Sequence, residues 1–374
     1  MTRLGDVQRS ETRRETRASL LTALLWFASA VIVFAMLLRM LPNSLDGKRY
    51  VPLIVALMPW LGLLSVIIAI IATVFRTVGK RKLLVALSVL CVIIQIIWHW
   101  GYAVPTNDRA IQPSATVRVM TFNTKQGCAD AQQIVRTIQS EHVEILAMQE
   151  VSSGLLDRLH DAGIEDYLPY SVSAQLTWHD NGGVNVLYSA HPLQETTQDL
   201  IPIESSSIPA ATVDFNGRKV RFGSVHPFSP RPSNQGLWNK SLDSIAQLQH
   251  YDNGESYVLM GDFNSTWDHA SFRYLLGDRF TDAGQSAGEG LHMTFPAVFP
   301  IAEIDHIIYD KGVRATDLAT KRIQGSDHLA LLATLTIAER RKVAAETNFC
   351  DKPATQEASS FVGVCMFPAV FPKG

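Results

Sequence analysis

The sequence has few cysteines, and its first hundred residues contain few acidic side chains. Four cysteines occur in 374 residues, and their spacing and neighbours match no thiolate metal site, which excludes a zinc-type structural centre. Residues 1–100 hold only four of the 35 Asp and Glu but 12 of the 33 Lys and Arg. The composition changes near residue 107, and the part before it is not an ordinary globular domain.

Charge is absent altogether from three long stretches of that first part. No Asp, Glu, Lys or Arg occurs in residues 20–38, 51–75 or 83–107. Because a bilayer crossing takes about 20 apolar residues, these stretches predict three transmembrane helices within residues 19–103. A cleaved signal peptide explains only the first stretch, which is longer than the usual apolar core of about 7 to 15 residues. The lack of intramembrane charge favours an anchor over a transport path.

The basic residues beside these stretches predict an orientation. Residues 1–18 carry five arginines and residues 76–82 carry four basic side chains, whereas residues 39–50 carry three. Basic flanks stay in the cytoplasm, so residues 1–18 and 76–82 are predicted to be cytoplasmic. Three spans then place everything after residue 107 outside the cytoplasm, as a domain of a multi-pass cell-membrane protein.

The part after the apolar stretches is acidic. Residues 101–374 contain 21 Lys and Arg against 31 Asp and Glu, a net charge of −10. A domain that binds nucleic acid mainly by neutralising phosphates is expected to be basic, so the charge disfavours that class of protein. Within this part, residues 104–115 are predicted to be a linker, 116–337 the folded domain and 338–374 a tail. The linker keeps the domain within about 40 Å of the bilayer at about 3.3 Å per residue.

Apolar runs bounded by turn residues predict eight strands and four helices in the folded domain. The predicted strands are 116–123, 143–149, 183–189, 210–215, 218–226, 256–261, 303–309 and 328–337. The predicted helices are 130–140, 153–162, 235–250 and 269–276. Asn216-Gly217 joins two of the strands as a hairpin. Hairpins mixed with strand–helix alternation predict an α+β fold of mixed sheets covered by helices, not a purely parallel sheet.

Polar side chains recur at the C-terminal ends of apolar runs or just before such a run begins. They are Asn123 in VMTFNT, Glu150 in ILAMQEV, Asp262 and Asn264 in LMGDFN, Asp327 and His328 in GSDHLALL, and His226 at the end of VRFGSVH. Carboxylate and amide oxygens suit Mg²⁺ or Mn²⁺ better than zinc. Histidines beside such a cluster suit phosphoryl ester hydrolysis, which needs a metal to neutralise charge and a base to orient water. Each residue alone also fits a turn or cap, and only their joint occurrence favours catalysis.

The motifs FN, QE, GDFN, IDH and SDH occur in this order within residues 116–337. In this the chain resembles the endonuclease/exonuclease/phosphatase superfamily, which includes deoxyribonuclease-like and sphingomyelinase-like proteins. The resemblance implies a four-layer α/β sandwich of two mixed β-sheets flanked by helices, here preceded by the three predicted transmembrane helices. It implies a Mg²⁺ (or Mn²⁺) cofactor held by Asn123 and Glu150, with Asp327 close to the ion.

The resemblance also implies roles for five catalytic residues. Asp262 would position or deprotonate the attacking water, and Asn264 would contact the phosphate. His328, polarised by Asp305, would contact the scissile phosphate, and His226 would stabilise the phosphoryl oxygens. The reaction would be an in-line displacement by water.

Three functions follow from this reading. The favoured one is a membrane-anchored, extracytoplasmic, metal-dependent phosphoesterase that hydrolyses a phosphodiester of a phospholipid or another envelope component. The alternatives are an extracellular nuclease, which the charge disfavours, and a catalytically idle module that binds a phosphorylated ligand. The predicted partners are a phosphodiester substrate, either lipid or nucleic acid, and the lipid bilayer. No protein partner is evident.

The tail has two features of its own. Cys350 and Cys365 either close a disulfide loop in an oxidising exterior or remain free thiols. The hexapeptide FPAVFP occurs at residues 295–300 and again at 367–372. The second copy is predicted to mimic the first, to compete for its docking site, or to be a neutral duplication.

Overall fold

The computed structural model describes residues 2–75, 79–106, 113–175 and 181–339. These residues belong to one compact unit, Met1–Arg340. The cysteines Cys350 and Cys365 and the second FPAVFP copy lie outside the described residues, so the predictions made for the tail stay predictions.

Two six-stranded sheets form the larger part of this unit. The strands of the first sheet are β1 (Pro113–Asn123), β2 (Ile145–Val151), β3 (Tyr170–Ser173), β4 (Val184–Ser189), β11 (Val313–Arg322) and β12 (Leu329–Ala338). The strands of the second sheet are β5 (Gln194–Thr197), β6 (Ala210–Phe215), β7 (Arg218–Val225), β8 (Ser256–Asp262), β9 (Phe280–Asp282) and β10 (Asp305–Asp310). Their orders are β11-β12-β1-β2-β4-β3 and β5-β6-β7-β8-β10-β9. Both sheets are mixed, as predicted, because β1 runs parallel to β2 and β7 parallel to β8 while the other pairs are antiparallel.

The main core lies between the two sheets. Val119 of β1, Phe222 of β7 and Met260 of β8 are completely buried there. The alternate residues of β1, among them Met120 and Phe122, face the opposite side and are equally buried. A strand with two buried faces is apolar on both sides, which is why Val119, Met120 and Phe122 are all large apolar residues.

Helices cover the outer faces of both sheets. They are α6 (Ala131–Glu141) and α7 (Ser153–Asp161) on the first sheet, α8 (Gln235–Ala246) and α9 (Ala270–Leu276) on the second, and the short α10 (Ala283–Ala287). The first turn of α6 is capped by Asp130, which accepts from the amide of Gln133, and that of α7 by Ser152, which accepts from the amide of Leu155. Two packed sheets between helices give the predicted α/β sandwich.

The N-terminal part consists of helices, and the prediction of three membrane-spanning helices is wrong, because only two of the described helices are long and apolar enough. The helices are α1 (Thr2–Arg39), α2 (Asn43–Asp46), α3 (Val51–Val55), α4 (Met58–Val74) and α5 (Arg81–Trp98). Among the described residues, only α1 and α5 are long and apolar enough to cross a membrane. The chain bends between α3 and α4, which leaves α4 with 17 residues. At 1.5 Å per residue α4 is about 26 Å long, less than the roughly 30 Å of a hydrocarbon core.

The ends of the apolar helices contact the sandwich through buried polar groups, which we call the docking interface. Nε of Arg39, at the end of α1, lies 2.5 Å from Oδ1 of Asp268. His99, just after α5, has its Nε2 3.0 Å from the other carboxylate oxygen of Asp268. The hydroxyl of Tyr102 donates to Oε2 of Glu303 at 2.6 Å. The sandwich is therefore held against the helix ends and does not hang from a linker alone.

The docking interface predicts a pH dependence of stability. Burial lowers the pKa of His99, but the hydrogen bond and the charge of Asp268 outweigh it and leave that pKa raised above 6.5. The pKa of His99 is higher in the folded chain than its value of 6.5 in the unfolded chain, so protonation stabilises the fold. This stabilisation is complete at pH values below 6.5 and is lost as the pH rises through the pKa of the folded state. We expect the Tm of the detergent-solubilised chain to fall over this range and the variant H99Q to lack that decline. Parallel Tm profiles of the two proteins would contradict the assignment.

Candidate active site

Polar residues from both sheets meet at one end of the sandwich. Asn123 ends β1 and Glu150 lies near the end of β2, its parallel neighbour. Asp262 ends β8, and its register partner on the antiparallel strand β10 is Asp305. His226 follows β7, which is parallel to β8. Parallel strands bring their carboxyl ends to one edge, so residues far apart in the chain come together here.

A buried group of two carboxylates and one imidazole lies at the centre of this site. Nδ1 of His328 bonds to Oδ2 of Asp305 at 2.9 Å, and Nε2 of His328 lies 3.6 Å from Oδ2 of Asp262. Ligand atoms of the three residues lie within 4.8 Å of one another, so the group can hold a metal ion. Within the described part of the chain, Oδ1 of Asp305 is buried without a hydrogen-bond partner, which leaves it available to a ligand.

Asn123 and Glu150 adjoin this group. The side-chain amide of Asn123 donates to Oε1 of Glu150 at 3.2 Å and to Oδ2 of Asp262 at 3.1 Å. Glu150 has a φ of 56° and lies where the register of β2 and β4 shifts, so a bulge turns its side chain towards the site. Gly182 is required beside it, because a Cβ there would come within 2.6 Å of the Glu150 carboxyl carbon.

The two histidines have opposite charge preferences. Burial disfavours the charge on His328, but the carboxylates of Asp305 and Asp262 outweigh it and raise the pKa of His328 to about 10. Burial lowers the pKa of His226, which makes its neutral form dominant at pH 7. Burial also raises the pKa of Asp262, against the opposing charge of His328. The site thus combines a protonated imidazole, a neutral imidazole and a carboxylate with increased basicity.

The structure places two further predicted residues at the edge of the site. Asp327 lies outside the buried group: its side chain is 41% exposed, and the Lys125 ammonium is 3.7 Å from one of its oxygens. Asn264 supports Asp262 through its backbone N–H, which donates to Oδ1 of Asp262 at 2.8 Å, while its side-chain amide donates to the carbonyl of Pro227. Neither contact tests the metal role of Asp327 or the phosphate contact of Asn264, so both roles stay predictions.

Sequence reasoning missed some residues of the site. Nδ2 of Asn181 lies 3.2 Å from Nε2 of His226 and donates to the carbonyl of Pro227 at 3.1 Å. Ser326 donates to the carbonyl of Asn123 at 2.7 Å and accepts from the amide of His328, which ties β1 to the SDH turn. The only signal for Asn181 was the Asn-Gly-Gly sequence before β4, which reads equally well as a turn.

A serine in a nucleophile-like motif takes no part in the site. Gly284 to Gly288 reads GQSAG, which fits the GxSxG pattern of nucleophile elbows. Ser286 is buried, however, and its hydroxyl bonds to the hydroxyl of Tyr309 at 2.9 Å. A buried hydroxyl held by a tyrosine is not presented to a substrate, so the motif marks packing between α10 and β10.

The donor set fits a hard divalent cation. Oxygen atoms of Glu150, Asp262 and Asp305 surround the site together with the amide of Asn123, and these are ligands that Mg²⁺ and Mn²⁺ prefer. The free, buried Oδ1 of Asp305 and the excess of carboxylates over cations both favour a bound positive charge. The geometry gives one group that could hold the ion, formed by Asp262, Asp305 and His328. The ligands implied by the family resemblance, Asn123 and Glu150 with Asp327 close to the ion, stay a prediction.

Comparison with known proteins extends these observations. The sequence model of the Endonuclease/Exonuclease/phosphatase family matches residues 120–328, more than half of the chain. The fold is similar to that of an endonuclease/exonuclease/phosphatase from Beutenbergia cavernae, with a TM-score of 0.51, 19% identity and coverage of 60% of this chain and 72% of that one.

Two other solved structures are similar at lower scores. A truncated Caenorhabditis elegans TDP2 has a TM-score of 0.48, 17% identity and coverage of 60% of this chain and 99% of that one. A mannosyl-6-phosphatase from Bacteroides thetaiotaomicron has a TM-score of 0.44, 17% identity and coverage of 59% and 100%. No curated protein matches the chain at a significant level. The similarity to the Beutenbergia cavernae structure supports the fold of the sandwich. The family match covers every residue named in the site, from Asn123 to His328.

Proposed function

Because the chain belongs to the endonuclease/exonuclease/phosphatase family, we propose that it is a membrane-anchored, divalent-metal-dependent phosphodiesterase with its catalytic domain outside the cytoplasm. As a member of this family the protein is a phosphoesterase, a hydrolase of phosphoric ester bonds. The proposal goes further in three respects: the protein prefers phosphodiesters, it is anchored in a membrane, and its catalytic domain lies outside the cytoplasm.

One observation carries the catalytic part of the proposal. The buried Asp262, Asp305 and His328 lie together with Asn123, Glu150 and His226 at one end of the two sheets. Five of these six residues are buried, and Glu150 is partly exposed. Polar residues from distant parts of the chain are costly to bury together unless a function retains them. A catalytically idle binding module has no need for a carboxylate of raised pKa beside a protonated imidazole, so this arrangement favours the enzyme.

The arrangement supports hydrolysis by a water molecule. Asp262 takes a proton from the water molecule while the water oxygen bonds to phosphorus. The ester bond between phosphorus and the leaving oxygen breaks. His328, held by Asp305, donates to the phosphoryl group and stabilises the charge that develops there. His226, oriented by Asn181, donates a second hydrogen bond to the phosphoryl oxygens. The leaving oxygen takes a proton from the solvent and departs as an alcohol, and Asp262 then releases its own proton to the solvent.

Asn123 and Glu150 are the proposed ligands of Mg²⁺ or Mn²⁺, with Asp327 close to the ion. When bound, the ion neutralises phosphoryl charge and polarises the phosphorus–oxygen bonds. The exposed position of Asp327 fits a ligand that orders only around a cation, and its contact with Lys125 is weak enough to be replaced.

The apolar helices support the membrane anchor. Less than a third of the candidate spanning stretches of α1 and α5 is buried within the chain. Their outward-facing residues include Phe27, which is 71% exposed, and Ile97, which is 66% exposed. A protein in water rarely leaves so large an apolar surface uncovered, whereas a bilayer covers it.

The geometry also supports the proposed side of the membrane. Both α1 and α5 end at the docking interface, where Arg39 and His99 meet the sandwich. Their beginnings lie together at the opposite end, where the amide of Gly79 donates to the hydroxyl of Thr22. The basic residues 13–17 and 80–82 cluster at that opposite end. The positive-inside rule then assigns the basic end to the cytoplasm and the sandwich to the outside.

Metal dependence is the test of this function. We expect the purified full chain in detergent to hydrolyse bis(p-nitrophenyl) phosphate with Mg²⁺, to lose this activity with EDTA, and to regain it when Mg²⁺ or Mn²⁺ is restored in excess. Release of p-nitrophenolate measures the rate. The monoester p-nitrophenyl phosphate, assayed in parallel, is expected to be the poorer substrate.

The alternatives have distinct outcomes in the same experiment. Hydrolysis that continues in the presence of EDTA would contradict the proposed dependence on a divalent metal ion. Cleavage of duplex DNA at a comparable rate would favour the nuclease and overturn the argument from the acidic charge of the domain. Lack of hydrolysis of the diester, of DNA and of phospholipid vesicles would favour a binding module.

A further inference from the structure

A loop beside the candidate active site carries two highly exposed apolar side chains. Val298 is 80% exposed and Phe299 is 70% exposed. Among the large apolar residues whose side chains the structure describes, none is more exposed than Val298. Two adjacent apolar side chains in water are unfavourable in proportion to their area, so such a pair marks a contact surface. We call residues 295–301 the rim loop.

The first half of the rim loop is attached to the active site. The ring of Phe295 lies 4.9 Å from the ring of His328, measured between ring centroids. The amide of Ala297 donates to the carbonyl of Asp327 at 2.7 Å. A surface that covers Val298 therefore comes close to the residues proposed to bind the phosphate.

The last residue of the rim loop is attached to the apolar helices. Nε1 of Trp60, in the first turn of α4, donates to the carbonyl of Ile301 at 2.8 Å. Tryptophan is enriched where membrane helices meet the head groups, because its ring is apolar and its N–H is polar. Trp60 thus marks the level at which the apolar helices leave the bilayer. Ile301, the hydrogen-bond partner of Trp60, is only two residues after Phe299.

The segment around Trp60 is apolar on its outer side as well. In this segment, between α1 and α4, Val51, Pro52 and Val55 are buried. The exposed large apolar residues of the same segment are Met40, Leu45, Tyr50, Leu53 and Leu57. Apolar side chains are thus exposed on both partners of the Trp60–Ile301 contact, as expected of a surface that rests in the interfacial layer of a membrane.

We propose that Val298 and Phe299 insert into the bilayer that anchors the protein, and that the substrate is a lipid whose head group contains a phosphodiester. This inference rests on the proposed function, since it assigns a substrate class to the same site. The rim loop joins the bilayer surface to His328, so a head group reaches the site without its lipid leaving the membrane. Water is the only co-reactant: its oxygen bonds to phosphorus, one phosphorus–oxygen ester bond breaks, and the products are a phosphomonoester and an alcohol.

Insertion is tested without reference to activity. The full chain, with Cys128, Cys350 and Cys365 replaced by Ser, is reconstituted in vesicles of phosphatidylethanolamine, phosphatidylglycerol and cardiolipin. An environment-sensitive fluorophore is attached at V298C or, as the matched control, at S140C on the exposed side of α6. We expect spin labels on the acyl chains to quench the fluorophore at V298C and not at S140C. Equal quenching at the two positions overturns the bilayer contact.

The substrate class is tested with the double variant V298S/F299S. We expect release of head groups from the same vesicles to fall about tenfold or more, while hydrolysis of bis(p-nitrophenyl) phosphate stays within about twofold of the wild type. Unchanged release from vesicles, or equal loss on both substrates, overturns the role of the rim loop.

The wild type separates failure of this inference from failure of the proposed function. Hydrolysis of the soluble diester without any hydrolysis of vesicle lipid overturns the lipid substrate and leaves the phosphodiesterase intact. Failure on both substrates overturns the proposed function, and quenching at V298C still decides whether the rim loop enters the bilayer.

Discussion

The variant D262N is expected to lose about a thousandfold in kcat, within the range of about 10²- to 10⁴-fold that general-base catalysis contributes. The carboxylate of Asp262 accepts from the amide of Asn264 at 2.8 Å and from the side chain of Asn123 at 3.1 Å, so it is held rigidly in the site. Asparagine has the same shape but cannot take a proton from water. The loss should therefore appear in kcat, with KM for the soluble diester changed much less.

The measurement is the steady-state rate on bis(p-nitrophenyl) phosphate with saturating Mg²⁺. D157N, an exposed carboxylate on α7, is the matched control and should retain the wild-type rate. The thermal unfolding midpoint of each variant verifies that it is folded. A D262N rate within about tenfold of the wild type, below the lower limit of general-base effects, would assign the proton transfer to another group.

The variant D268A is expected to destabilise the protein by about 3–5 kcal/mol, the cost of leaving a buried charge without its partner. The side chains of Asp268 and Arg39 are only 2% and 8% exposed, and their atoms are 2.5 Å apart. His99 loses its counterion in the same step. Three elements are affected together, because Asp268 joins the ends of α1 and α5 to the sandwich.

Denaturant or thermal unfolding of the full chain in detergent measures this effect. The control is E195A, which removes an exposed partner of Lys219 and should change the unfolding midpoint little. The double variant R39M/D268L leaves no buried charge in this pair and should recover a large part of the loss. Equal destabilisation by D268A and E195A would show that the docking interface contributes no more than a surface ion pair.

The strands that sequence patterns predicted and those they missed differ in position. All eight predicted strands are present, since buried strands appear as apolar runs between turn residues. The four missed strands, β3, β5, β9 and β11, are the four edges of the two sheets. An edge strand pairs on one side only and faces solvent for much of its length, as the exposed residues of β5 do. Its sequence therefore carries little of the apolar pattern.

For the edge strands the sequence pattern predicted too few elements, whereas for the apolar N-terminal segments it predicted too many membrane spans. Hydropathy alone predicted three membrane-spanning helices, but residues 51–75 divide into α3 and α4. The buried side of α3 packs beside the docking interface, where Nε2 of His269 lies 2.9 Å from the carbonyl of Pro52. Composition cannot distinguish an apolar residue that meets lipid from one that meets another part of the same chain.

The sequence by itself determined the central strands, the order of the polar motifs and the excess of apolar helices at the N-terminus, because each depends on residues close together in the chain. The tertiary structure alone decided that Asp305 faces Asp262 across two antiparallel strands, that Asn181 reaches His226, and that Arg39 and His99 share Asp268. The Asn181–His226 contact joins residues 45 positions apart, and the Arg39–Asp268 contact joins residues 229 positions apart. Only packing of the whole chain brings such groups within hydrogen-bond distance, so no local pattern encodes them.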